Sequence, residues 1–259
     1  MIKLSDVLVD RAKTPFAVRR NKPSVIWRAT GENQTAYRIG VAKSRYKAIN
    51  GQFDVYDSGV TESGETIGHA VGAELEPCTT YYVSVTIYGE NGGEDSAVVR
   101  FRTELSAEDW KGYWTFMPLN SVGGSSLYRK NIVLPDEPVE EAFAYCAGIG
   151  CHELFVNGKK ADDRLFSPVN SDYEKRIYYT VYELSGRLVA GENVIGVELA
   201  PWWYGGKKLL FQLYVTLKNG ETLEFHSSAG DGWWERGGAV PAERTVRLFK
   251  GEFFMEQPH

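Results

Sequence analysis

Tyr214-Val215-Thr216-Leu217-Lys218-Asn219-Gly220-Glu221-Thr222-Leu223-Glu224-Phe225 reads as a β-hairpin folded around Asn-Gly. Apolar and polar residues alternate on both sides of the turn, and Asn-Gly accepts the positive φ angles that tight hairpins need. The same signature recurs upstream, where Glu153-Leu154-Phe155-Val156 runs into Asn157-Gly158-Lys159-Lys160. Tyr81, Val83, Val85 and Ile87 share one face of a further alternating run, and Tyr37-Arg38-Ile39-Gly40-Val41 alternates as well. Helical spacing over three turns is absent; Ser106-Ala107-Glu108-Asp109-Trp110-Lys111 supports one short turn capped by Ser106. The fold class is all-β.

Composition agrees. Of 259 residues, 43% are hydrophobic, enough for a core, and the 13% aromatics with 27 glycines suit strands joined by tight turns. The net charge of −5 excludes the basic face of a nucleic-acid binder or a polybasic membrane-surface protein. Lys3, Asp6 and Asp10 break the apolar start, so no signal-peptide core is expected there, and no run reaches the length of a transmembrane helix. Three cysteines, Cys78, Cys146 and Cys151, do not make a secreted disulfide framework and read as small hydrophobes. A cytoplasmic protein is expected.

Three segments follow from these patterns. Residues 1–18, bracketed by Pro15 and Pro23, are expected as an extended arm. Residues 19–105 form a first sandwich ending in Val98-Val99-Arg100-Phe101-Arg102-Thr103, and residues 106–259 form a second that begins with Trp114-Thr115-Phe116. Leu75-Glu76-Pro77-Cys78-Thr79-Thr80-Tyr81 resembles the corner of a fibronectin type III or immunoglobulin-like module, with Tyr81 as the buried corner tyrosine.

The second segment is more specific. Tyr128-Arg129-Lys130-Asn131-Ile132-Val133-Leu134 is followed by Ala142-Phe143-Ala144-Tyr145 and Glu153-Leu154-Phe155-Val156-Asn157-Gly158. Leu165-Phe166-Ser167-Pro168, Arg176-Ile177-Tyr178-Tyr179, Gly191-Glu192-Asn193-Val194 and Trp202-Trp203-Tyr204 come next. That order resembles the N-terminal β-sandwich of bacterial α-L-rhamnosidases, in which a fibronectin-like module comes first. The resemblance implies two consecutive sandwiches, the second of jelly-roll or galactose-binding-like form. Two departures are visible: Glu183-Leu184-Ser185 replaces Asp-Val-Thr, and Leu199-Ala200-Pro201-Trp202-Trp203 replaces Leu-Gly-x-Gly-Trp.

The resemblance implies a parent enzyme that hydrolyses terminal α-L-rhamnosides with inversion. Inversion needs an acid and a base carboxyl separated by roughly 6.5–9.5 Å. In the family both come from an α/α toroid that this chain is expected to lack, so no residue here is assigned a catalytic role. Asp162, Asp163 and Glu183 read as solvated loop charges. The four histidines are scattered without metal-ligand spacing, and Gly148-Ile149-Gly150 reads as close strand packing, so no metal or cofactor is expected.

Loop aromatics are the remaining lead. Trp202, Trp203, Tyr204, Trp233 and Trp234, with Arg176 beside them as a further candidate, suit either stacking on sugar rings or an interface with another domain. The expected partners are a rhamnose-containing glycan and the toroid of the parent enzyme. The expected role is a non-catalytic N-terminal portion of an α-L-rhamnosidase, with a stand-alone carbohydrate-binding or interaction module as the alternative.

Overall fold

A computed structural model describes residues 1–116, 124–202 and 208–227, and the backbone of four short strands at 234–237, 243–245, 247–249 and 255–256. The chain divides into two compact units, Met1–Leu105 and Ser106–Pro258.

The first unit contains β1 (Lys3–Val9), β2 (Ser24–Thr30), β3 (Gln34–Ala42), α1 (Arg45–Ile49), β4 (Tyr56–Asp57), β5 (Thr61–Glu62), β6 (His69–Ala70), β7 (Thr80–Gly89) and β8 (Glu94–Arg102). One sheet has the order β1-β2-β6; the other runs β4-β3-β7-β8, with β5 also on β3. Val7, Val9, Val25 and Trp27 meet Ile39, Val41, Val83, Val85, Ile87 and Phe101 in one core, which makes the unit a sandwich. Tyr81 is 1% exposed, and its hydroxyl accepts from the Glu76 amide at 3.0 Å, the corner its sequence motif implies.

Residues 3–9 are not a free arm. They pair antiparallel with β2 through a register shift between Ser5 and Leu8, with Asp6 at φ +49°. That bulge changes which parity is buried, from Ile2 to Val7 and Val9, so no single alternation is visible in the sequence. Further on, Val18 N–H donates to Arg102 O at 2.9 Å and Arg102 N–H to Pro15 O at 2.9 Å, which covers the outer edge of β8. The short helix α1 also lacks a sequence signal. It has five residues, buries only Ala48, and starts at Ser44, whose side chain accepts from Lys47 N–H at 3.2 Å.

The second unit contains a one-turn 3₁₀ helix (Ala107–Asp109), β9 (Trp114–Phe116), β10 (Ser126–Leu134), β11 (Val139–Ile149), β12 (Cys151–Val156), β13 (Lys159–Lys160), β14 (Ile177–Glu183), β15 (Gly191–Ala200), β16 (Lys208–Leu217), β17 (Thr222–His226), β18 (Trp234–Gly237), β19 (Glu243–Thr245), β20 (Arg247–Phe249) and β21 (Met255–Glu256). Its sheets run β13-β12-β15-β10-β18-β19 and β20-β9-β16-β11-β14-β21, with β17 also on β16. Tyr128, Ile132, Leu154, Ile195 and Val197 of the first sheet pack on Ala144, Cys146, Phe211, Leu213 and Val215 of the second.

Both hairpins form. Asn157 and Gly158 have φ +51° and +78° and make a two-residue type I′ turn. At the second, only Gly220 is left-handed (φ +90°), and Leu217 N–H reaches Glu221 O at 2.8 Å, giving a three-residue loop with a bulge. A Cβ at Gly150 would stand 2.3 Å from Ala200 O, so that glycine serves close strand packing. Ser106 N–H donates to Asp109 Oδ2 at 2.9 Å, and the expected short turn is the 3₁₀ helix.

Candidate functional site

The loop 161–176 between β13 and β14 carries Leu165, Phe166 and Val169, which are 67%, 67% and 60% exposed. Three large apolar side chains within five residues are an unusual thing to leave in water. The loop is nevertheless pinned. His152 N–H donates to Ser167 O at 2.6 Å, and Arg164 Nη2 to Val181 O at 2.8 Å. The Arg164 guanidinium lies 4.7 Å from the centre of the Tyr182 ring and pairs with Asp162. Phe166 itself has φ +56°, a conformation that a bulky residue adopts only when its surroundings impose it.

Trp202, which follows β15, is half-buried. Its ring centre is 6.1 Å from that of Phe166, with 36° between the planes. The pair forms a tilted aromatic surface, one ring exposed and the other partly sunk. Among the described residues, the buried Trp202 Nε1, Asn170 Oδ1 and both ring nitrogens of His152 have no hydrogen-bond partner. Burial, assisted by the Arg164 cation, pushes the His152 imidazole down to about 3, so the ring is neutral at ordinary pH. Burial also pushes the Tyr182 hydroxyl up.

The residues expected at a site fare differently. Trp202 has Phe166 as its ring neighbour. Arg176 is exposed, and its Nη1 donates to the Tyr178 hydroxyl at 3.4 Å. Trp203, Tyr204 and Trp233 lie outside the described residues, and Trp234 is described only as the backbone of β18, opposite Arg129 and Thr245. Phe166 stands in the sequence only as part of Leu165-Phe166-Ser167-Pro168, with nothing there to mark it as a site residue. Asp162 is engaged by Arg164. Among the described residues, no group of three His, Cys, Asp or Glu side chains is arranged to hold a metal. No helix among them is long and apolar enough to cross a membrane.

Two family models match the chain, one to each unit. The Rha78A-like N-terminal immunoglobulin domain matches residues 4–107, and the α-L-rhamnosidase N-terminal domain matches residues 137–252. Two α-L-rhamnosidases of Formosa agariphila are similar: one is 28% identical over 229 residues (77% of this chain), the other 26% identical over 283 residues (95% of this chain). This chain spans 24% and 30% of their lengths. The fold is that of the α-L-rhamnosidase from Dictyoglumus thermophilum (TM-score 0.84, 24% identity, 98% of this chain and 35% of that one). It is equally that of the native enzyme from Aspergillus terreus (TM-score 0.79, 21% identity, 92% of this chain and 30% of that one). Both units therefore fall in one class, the N-terminal β-sandwich domains of glycoside hydrolases. The hydrolases are α-L-rhamnosidases, and the chain corresponds to their N-terminal region.

Proposed function

We propose that this region is a non-catalytic part of an α-L-rhamnosidase that packs against or assists an α/α toroid acting on terminal α-L-rhamnosides. The reading rests on coverage: two N-terminal family models account for most of the chain, while the chain spans less than a third of the relatives. The three free cysteines, Cys146 among them fully buried, favour a reducing, cytoplasmic setting. The test is an assay of the purified chain with p-nitrophenyl α-L-rhamnoside. No release of p-nitrophenol is expected, and release by contaminant-free protein overturns the reading.

A second reading, carbohydrate binding, is favoured by the Phe166–Trp202 surface. Sugar rings present C–H faces that stack on such rings. Trp203, Tyr204, Trp233, Trp234 and Arg176 are candidates to extend it or to serve the domain interface. Calorimetry of the chain with rhamnose and rhamnosides is expected to give saturable heats that Trp202→Ala weakens about tenfold. Flat titrations across the panel overturn this reading and leave the rings to the interface.

A further inference from the structure

A cleft of about 800 Å³ opens on the second unit, away from the aromatic pair in sequence, between the β12–β13 turn and the loop after β14. Its volume lies in the range of small-molecule sites. Val156 and Val189 give it apolar wall, while Asn157, Ser185, Lys159 and Arg187 give it polar groups. The wall is rigid. Asn157 Oδ1 accepts from Val194 N–H at 2.8 Å, and its Nδ2 donates to Asn193 Oδ1 at 2.9 Å. Asn193, fully buried, is held in turn by Val189 O at 2.7 Å and Gly191 O at 3.1 Å.

The charges at the cleft do not balance. Arg187 Nη1 donates to Lys160 O at 2.9 Å, which brings its guanidinium beside the backbone next to Lys159. Among the described residues neither Lys159 nor Arg187 has an ion-pair partner. The carboxylate that lines the same cleft, Glu183, is engaged by the Ser185 hydroxyl at 3.3 Å. The two cations outnumber the single carboxylate of the lining, which leaves the cleft a net positive charge that an oxyanion can offset. One of the two presents a planar fork and the other a point charge, the usual pair for carboxylate or phosphate oxygens.

We propose that this cleft binds the oxyanion of a small hydroxylated solute, a sugar acid or a sugar phosphate, with Lys159 and Arg187 on the charge and Asn157 and Ser185 lining the hydroxylated part. The chain is titrated with D-glucuronate, inorganic phosphate and, as neutral control, D-glucose, and the backbone amides of Gly158 and Gly186 are followed by NMR. Saturable shifts are expected with at least one anion, weakening as salt rises. A response to glucuronate alone assigns a carboxylate, and a response to phosphate alone assigns a phosphate. Lys159→Gln with Arg187→Gln is expected to weaken binding about tenfold or more at an unchanged melting temperature. No shifts with either anion up to roughly 20 mM, equal binding of glucose, or anion binding that survives the double substitution each overturns the proposal.

Discussion

The two outer faces of the second sandwich are built from neighbouring strands and have opposite fates. On the β11/β14/β16 face, Phe143, Tyr145, Ile177, Tyr179 and Gln212 are buried although they point away from the central core. Residues 109–111 lie against it: Lys111 N–H donates to Gln212 Oε1 at 2.8 Å, and Trp110 meets Tyr179 edge-on at 5.8 Å. On the β10/β12/β15 face, Leu127, Arg129, Asn131 and Val133 stand in water, and Glu153 and Glu198 face each other across the strands. Lys160 pairs with Glu153 at 2.7 Å, which relieves that like-charge contact. A strand wrapped on both sides can be apolar throughout, as in β11; a strand wrapped on one side must alternate, as in β10. Among the described residues, the β-sandwich thus carries a covering segment on one side only.

That difference is broken most strongly at Phe143. Phe143→Ala removes a fully buried ring from the covered face and is expected to cost about 3–5 kcal/mol, read as a lowered urea midpoint of the second unit. A loss within about 0.5 kcal/mol shows that this face is not held by packing. The interior between the faces carries the next effect, at His152. Its folded-state value is depressed to about 3 and its ordinary value is 6.5, so the unfolded chain takes up the proton first. Stability is therefore full above pH 6.5 and falls as the pH drops towards 3, by at most about 1.4 kcal/mol per pH unit. His152→Gln is expected to flatten that slope; an unchanged slope places the acid sensitivity elsewhere.

Gln212→Ala tests the cover rather than the face. It removes the side chain that Lys111 N–H and Asp109 C=O bond at a part-buried position, with an expected cost of about 1–2 kcal/mol. Hydrogen exchange at the Lys111 amide is expected to speed up with it; unchanged protection shows that another group holds the segment.

Much of this is legible in the sequence where the cause is local. Tyr81 is found from a corner motif because its hydroxyl reaches a backbone amide only five residues away. Asn157-Gly158 is found because a type I′ turn restricts both positions, and β10 because one wet face enforces alternation. The bulge in β1 hides a strand by shifting its parity, and α1 is too short for any period to repeat. At the candidate site Trp202 stands out as a loop aromatic. Its neighbour Phe166 does not, since its exposure and its left-handed backbone are imposed by Arg164, Ser167 and β12, all settled by tertiary contacts. The Lys159–Arg187 pair is likewise invisible, because the loop after β14 brings together cations 28 residues apart only through the Lys160 carbonyl.

The smallest effect belongs on the wet face. Val133 is 65% exposed on β10, opposite Glu192 of β15, and makes no part of the core. Val133→Thr keeps the β-branch that suits a strand and changes only a surface that water already covers, so stability is expected to stay within about 0.5 kcal/mol. The value of the measurement lies in its contrast with Phe143→Ala: two outward positions on facing sheets should differ several-fold. A Val133→Thr loss approaching that of Phe143→Ala would mean that the β10 face, too, is covered in solution, and the sandwich would then have a layer on both sides.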